Sequence, residues 1–202
     1  MKKKAIKILM FRVMIPLVLI TCHLSLIFSL TSCDDDNMYS SSYCNFVFMA
    51  NLYPSSALTR SVASTGGDFC IVKAVVERGV THLKLTPNRG TYTVTDLDLA
   101  MNTAITNERI SYASMGHRQG LIIGRSVYGQ LKAYDMMSPN CDFTQELRWS
   151  TLATELECDK CHRVYNIDGD YGYVKSGDKG QALEQYKNVI YNQQDGRLVV
   201  KN

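Results

Sequence analysis

The hydrophobic and polar positions from Phe46 onward fall into short β-prone runs separated by turn residues. Runs of this kind, rich in branched and aromatic side chains and bounded by Gly, Asn and Asp, are typical of β-strands. The predicted strands cover residues 68–76, 80–85, 121–127, 130–135, 184–191 and 197–200. The last two pairs predict hairpins, one turning at Tyr128-Gly129 and the other at residues 194–196.

Two further segments predict short helices, one at 55–62 and one within 95–106 that Thr95 or Asp96 would cap. No repeat period is present. The spacing of strands and turns therefore favours an all-β fold, an antiparallel β-sandwich or partial barrel. A mature chain of about 170 residues is long enough for one domain with a single core.

The first 30 residues follow a different pattern. Residues 2–12 are cationic, and residues 13–30 are apolar and carry no formal charge, which is the layout of a secretory signal. An uncleaved transmembrane helix is the alternative, because 18 apolar-biased residues lie at the lower limit for spanning a bilayer. Four residues that weaken the transmembrane alternative are Pro16, Thr21, His23 and Ser25.

The tetrad Leu30-Thr31-Ser32-Cys33 ends this leader. It resembles the lipobox of bacterial lipoproteins, in which the cysteine is lipidated and becomes the first residue of the mature chain. The resemblance implies a signal peptide at 1–32, an acylated tether at 33–44 and a β domain at 45–202. Diacylglycerol and N-acyl chains on Cys33 would give stable membrane attachment, where one chain is marginal.

Three acidic residues, Asp34 to Asp36, follow the cysteine. Acidic residues there resemble a surface-export signal of some Gram-negative lipoproteins. In other lineages an Asp there means inner-membrane retention, and a plain solvated tether is a third interpretation. We expect an exported protein that is lipid-anchored to the outer membrane, facing the periplasm or the surface.

The charge distribution excludes a nucleic-acid partner. The whole chain has a formal charge of +3. Residues 1–32 carry five basic residues and no acidic one, which leaves 17 basic against 19 acidic residues from 33 to 202. Nucleic-acid binding needs a clustered basic face on the folded domain, and the mature chain has no such excess.

Candidate chemistry is concentrated in residues 134–169, where three of the seven cysteines lie. Ala133-Tyr134-Asp135 precedes Pro139 and Cys141, Cys158-Asp159-Lys160-Cys161-His162 follows, and Val164 to Gly169 comes after it. This arrangement resembles a Rieske domain over residues 121–202. The resemblance implies a Rieske-like antiparallel β-sandwich with two cysteine-bearing loops, which in that family hold a [2Fe–2S] cluster through two Cys and two His.

The ligand set departs from that family. In the first loop of that family the motif is Cys-x-His, and Phe143 stands at the position of its histidine. In the second loop the motif is Cys-x-x-His, and Cys161 stands at the position of its histidine. His162 is one residue later. With one inserted residue, Cys158, Cys161 and His162 would be similar to Rieske loops that read Cys-x-Cys-His. A missing donor would have to come from elsewhere, and His82 and His117 are candidates by residue type alone. The leader has no twin-Arg pair for folded export, which also counts against a cluster loaded in the cytoplasm.

Three other interpretations of the cysteines stay open. Cys141, Cys158 and Cys161, with His162, are candidate zinc ligands, although adjacent residues seldom both reach one ion. Alternatively, two of the loop cysteines form a disulfide and Cys44 pairs with Cys70, which an exported location favours. A Cys-x-x-Cys redox pair is the third, but it normally lies at a helix N-terminus in a βαβ unit, and no such unit is predicted.

No other motif predicts catalysis. Residues 166–170 resemble a calcium loop only briefly, because Gly177 takes the position of the bidentate acid. There is no Ser/His/Asp series and no phosphate-binding loop, so a non-enzyme is expected. Two functions remain: electron transfer by descent from Rieske proteins, or a non-redox surface or periplasmic binding or structural module whose loops are held by a disulfide or zinc. The protein partner in either case is unknown.

Overall fold

The computed structural model describes residues 39–101, 111–168 and 171–202, with only the backbone described at 111–113. The strands are β1 Cys44–Met49, β2 Asp68–Glu77, β3 Val80–Pro87, β4 Asp98–Ala100, β5 Ser111–Met115, β6 Gly120–Arg125, β7 Leu131–Asp135, β8 Leu147–Trp149, β9 Glu155–Cys158, β10 Val164–Asn166, β11 Val174–Ser176, β12 Asn188–Asn192 and β13 Arg197–Lys201. The α-helices are α1 Ala57–Ala63 and α2 Val94–Leu97.

The strands form three antiparallel sheets, which confirms the predicted all-β class. Their orders are β12-β13-β1-β5, β4-β3-β2-β6-β7 and β11-β10-β9-β8. The predicted hairpins are also confirmed, since β6 pairs with β7 and β12 with β13. The second hairpin begins at Asn188, four residues later than expected.

The first half of β2, in the five-stranded sheet, is buried on both faces. Along β2, Cys70 and Val72 face a core cluster shared with β1 and β13, whereas Phe69 and Ile71 face a second cluster shared with the β8–β11 sheet. Successive side chains of a strand point to opposite faces. A strand buried on both faces is therefore hydrophobic along its length, as Phe69 to Val72 is.

The two helices are short and capped by side chains. The hydroxyl of Ser56 accepts a hydrogen bond from the Thr59 backbone N–H at 3.2 Å and so begins α1, as predicted for 55–62. Thr93 and Asp96 form a capping box around α2. The helix predicted within 95–106 is correct for this turn only, because residues 98–100 form β4; residues 102–110 lie outside the described part.

The leader, Cys33 and Asp34 to Asp36 also lie outside the described residues. The β unit includes the segment after them: Tyr39 bridges to Gln185, and the Ser40 N–H donates to the Gln185 carbonyl at 2.8 Å. Residues 39–44, assigned to the tether from sequence, therefore lie on the β domain. Among the described helices, none has the length and apolar character needed to cross a bilayer.

Candidate metal centre

The first cysteine loop follows β7 and turns at Pro139–Cys141. The carbonyl of Ser138 accepts hydrogen bonds from the backbone N–H groups of Cys141 and Phe143, each at 3.2 Å. Asp142 and Phe143 then adopt left-handed conformations, with φ of 51° and 52°. A left-handed bulky residue is unusual, so this turn is held by its surroundings.

The second cysteine loop connects β9 to β10. Cys158 is the last residue of β9, and its carbonyl accepts a hydrogen bond from the N–H of His162 at 2.9 Å. His162 is left-handed, with φ of 55°. Each loop thus folds back on the carbonyl of its first residue and passes through a left-handed residue directly after its cysteine.

The two loops bring three sulfurs together. The Sγ atoms of Cys141 and Cys158 are 3.7 Å apart, and those of Cys141, Cys158 and Cys161 all lie within 4.8 Å of one another. Cys141 and Cys158 are buried, and Cys161 is partly exposed. These three predicted site residues therefore form one group of potential ligand atoms.

The surroundings favour ionisation of Cys161 over ionisation of Cys141. Burial opposes its ionisation, but hydrogen bonds from Arg163 and from the two other thiols outweigh that effect and lower the pKa of Cys161 to about 6. Burial, with hydrogen bonds to Cys161 and Cys158, raises the pKa of Cys141 to about 11. A thiolate is the form of cysteine that binds metals.

The predicted fourth residue, His162, does not join this group. Its side chain is exposed, and its ring nitrogens are outside the set of mutually close donors formed by the sulfurs. The physical reason is the left-handed turn, which carries the residue after Cys161 away from the ligand position. The structure therefore groups the three predicted cysteines and leaves His162 outside that group.

His117 and His82 do not supply the missing donor either. The ring of His117 stacks on Phe143, and its Nδ1 lies 3.1 Å from Oδ2 of Asp135. His82 pairs with Asp98 at 2.7 Å in a separate group on β3 and β4. Neither histidine belongs to the three-sulfur group.

The residues present do not fit a Rieske cluster. That cluster takes two ligands on each of two irons, with His₂ on one iron. Here the described donors at the loops are three sulfurs that lie mutually close, and Phe143 has no lone pair to donate. The arrangement matches the coordination of one ion better than the ligation of two irons.

Side-chain hydrogen bonds fix the first loop in place. Ser138 Oγ and Tyr165 Oη are 3.1 Å apart, and the Asn140 side-chain amide donates to Tyr165 Oη at 2.9 Å. The same amide group is also paired with the backbone of Gln181. Ser138 and Tyr165 were not predicted as site residues; the spacing of Ser138 to Cys141, equal to that of Cys158 to Cys161, was a signal that could have indicated Ser138.

Cys44 and Cys70 are separate buried thiols in the larger core cluster. Burial raises the pKa of Cys44 to about 12 and also raises the pKa of Cys70. The disulfide proposed for this pair from sequence is not formed, and no disulfide occurs among the described cysteines. Their packing with apolar side chains gives these thiols a structural role.

A second group of potential ligands, Glu77, His82 and Asp98, lies on β2, β3 and β4 of the five-stranded sheet. Lys84 Nζ already lies 2.6 Å from Asp98 Oδ2 and 3.0 Å from Glu77 Oε1. The ammonium group supplies the positive charge that these carboxylates require. We interpret this group as an ion-pair network.

No known family, curated protein or solved structure matches the chain. The geometry of the two loops is therefore the evidence on which a function must be argued.

Proposed function

We propose that this chain is an exported, lipid-anchored protein whose Rieske-like β domain holds one zinc ion between its two cysteine loops. The ion has a structural or binding role, and the domain acts as a non-redox surface or periplasmic module. The observation that carries the proposal is the convergence of the Cys141, Cys158 and Cys161 sulfurs at one point.

The sulfur spacing supports a single tetrahedral ion. A Zn–S bond of about 2.3 Å gives roughly 3.8 Å between two thiolates on the same tetrahedral ion. Cys141 and Cys158 are 3.7 Å apart. Their sulfurs already stand at the separation that zinc requires, and Cys161 lies within reach of the same point.

A disulfide between Cys141 and Cys158 is the main rival for these atoms. It would need a sulfur separation of about 2.05 Å, so the loops would have to move closer. It would also leave Cys161 with no covalent partner in the group. A three-ligand zinc centre accounts for all three sulfurs, and zinc binding protects thiolates that would otherwise be oxidised outside the cytoplasm.

Zinc has no accessible redox change, so this function differs from electron transfer. The first loop leads into β8, the second loop follows β9, and these two strands pair over only three residues. The ion would therefore add a second connection between the two loops. The lipid on Cys33 would place the domain at the membrane, and residues 34–38 would connect it to the anchor. The protein partner is unidentified.

Metal content and colour test the proposal. The full chain, purified from membranes in detergent, should contain about one zinc per chain and no visible absorbance. A brown preparation with about two irons per chain would support electron transfer through a [2Fe–2S] cluster instead. A metal-free protein with Cys141 linked to Cys158 would support the disulfide.

The anchor has its own test. Cys33→Ser should move the protein from the membrane fraction to the soluble fraction, because both acyl chains depend on that cysteine. Cys22→Ser is the matched control, since Cys22 lies within the leader, and it should leave the protein in the membrane. Retention of the Cys33→Ser protein in membranes would favour a spanning helix.

A further inference from the structure

We infer that Ser138 Oγ occupies the fourth corner of the metal centre, an assignment that rests on the proposed zinc function. The centre then consists of two similar half-sites. Ser138 and Cys141 come from the first loop, and Cys158 and Cys161 come from the second.

The position of Ser138 supports this assignment. Its side chain is fully buried, and its Oγ lies 4.0 Å from Cys161 Sγ. An oxygen and a sulfur on one tetrahedral zinc are roughly 3.5 Å apart, so a small adjustment of the serine brings Oγ to the corner.

The chain spacing is the second observation. Two residues separate Ser138 from Cys141, and two separate Cys158 from Cys161. Sixteen residues lie between the two pairs, within the range of about 15–20 that is typical of two Cys-x-x-Cys pairs on one zinc. With Ser138 as the first member, this chain has that pattern with one hydroxyl in place of a thiolate.

The backbone repeats in the same way. The carbonyls of Ser138 and Cys158 both accept hydrogen bonds that close their loops. The residues after the second members, Asp142 and His162, both have left-handed conformations. The two half-sites therefore share a carbonyl at the first residue that closes the loop and a left-handed residue directly after the second.

A serine at this corner makes the centre weaker than a four-cysteine site. A neutral hydroxyl is a poorer zinc ligand than a thiolate, although it also lowers the negative charge of the buried centre. Ser138→Cys should complete the set of four sulfurs and tighten zinc binding on the order of tenfold or more. Ser138→Ala should weaken it.

The experiment measures zinc affinity by chelator competition and the thiolate-to-metal absorption of the cobalt-substituted full chain. Ser138→Cys should raise that absorption by about one third, because four thiolates replace three. Ser61→Cys is the matched control, since it adds a buried thiol in α1 away from the loops, and it should change neither measurement. Tyr165→Phe removes the hydrogen bond between Tyr165 and Ser138 but keeps the serine hydroxyl. Ser138→Ala must therefore weaken zinc binding more than Tyr165→Phe does.

The outcomes separate this inference from the proposed function. Unchanged affinity and a three-thiolate spectrum in Ser138→Cys would overturn the assignment of Ser138 while leaving the zinc site in place. If Ser138→Cys binds metal through four thiolates and the native chain binds none, Ser138 marks the corner but the proposed function is wrong. If neither the native chain nor Ser138→Cys binds metal, the assignment of Ser138 and the proposed function are both overturned. If Ser138→Cys does not fold, a zinc affinity of Ser138→Ala equal to that of the native chain would overturn the assignment.

Discussion

The imidazole ring of His117 lies flat against the phenyl ring of Phe143, with centroids 4.1 Å apart and planes within 9°. Phe143 stands where the Rieske pattern has a ligand histidine. Here an aromatic ring takes that place and packs against a histidine from a different loop. The buried carboxylate of Asp135 orients this histidine by accepting hydrogen bonds from its backbone N–H at 2.9 Å and from its Nδ1. The stack and the Asp135 carboxylate therefore tie the first cysteine loop to the loop that carries His117.

Truncating the phenyl ring tests the importance of this stack. We expect Phe143→Ala to lower the free energy of unfolding by about 1–3 kcal/mol, because both apolar burial and the ring contact are lost. Urea unfolding measures the change. Tyr128→Ala is the control, since Tyr128 is 75% exposed, and equal effects of the two substitutions would contradict a stabilising stack.

Gly116 permits the approach of the His117 loop to the buried carboxylate. A Cβ at this position would lie 1.9 Å from Tyr186 Oη and 2.4 Å from Asp135 Oδ2, and φ is 68°. Gly116→Ala should therefore cost several kcal/mol, more than the roughly 1 kcal/mol expected from a left-handed alanine alone. Gly79→Ala is the matched control, because Gly79 has φ of 83° but nothing within 4 Å of its Cβ position. Similar thermal midpoints for the two variants would contradict the clash.

Tyr186 supplies a hydrogen bond to the same carboxylate. Its hydroxyl donates to Asp135 Oδ2 at 2.8 Å, and both side chains are fully buried. Tyr186→Phe leaves a buried carboxylate with one donor fewer, so we expect a loss of about 1–3 kcal/mol in the free energy of unfolding. Chemical denaturation should show almost no change for Tyr43→Phe, whose side chain is exposed. A neutral effect of Tyr186→Phe would contradict a stabilising role for this hydrogen bond.

Asp96 makes stability depend on pH. Hydrogen bonds from Ser55 and then from Thr93 lower the pKa of this carboxyl to about 2, below its ordinary value near 4. The stabilisation is therefore fully present above about pH 4 and is lost as the pH falls through about 2. Asp96→Asn should be less stable than the native chain at neutral pH, and their melting temperatures should converge between pH 4 and 2. A constant difference across that range would contradict the role of the charged carboxylate.

Local patterns in the sequence predicted those parts of the fold that depend on neighbouring residues. The hairpins at β6–β7 and β12–β13 follow from alternating runs that meet at a turn. The pairing of β1 with β13, which sets Phe46 opposite Val200, could not be predicted because no local signal links strands so far apart in the chain. The burial of β2 on both faces became evident only with the sheets in place.

The candidate site also has one part that the sequence could predict and one part that it could not. Cysteine spacing correctly indicated that Cys141, Cys158 and Cys161 form one group. His162 was predicted with them because its residue type and spacing fit. Its exposed side chain lies outside the three-sulfur group, at a left-handed backbone position that spacing along the chain does not reveal. The stacking of His117 on Phe143 depends on two loops meeting in space, which spacing along the chain does not encode.

The central claim is that the three loop sulfurs hold one zinc ion. Native mass spectrometry of the full chain tests it most directly, because one spectrum reports bound metal and any disulfide together. The account predicts one zinc in the native chain and in Cys70→Ser, whose thiol is buried outside the loops, and none in Cys158→Ser. A native chain that carries two irons, or that carries no metal and has lost two hydrogens to a disulfide, would contradict it.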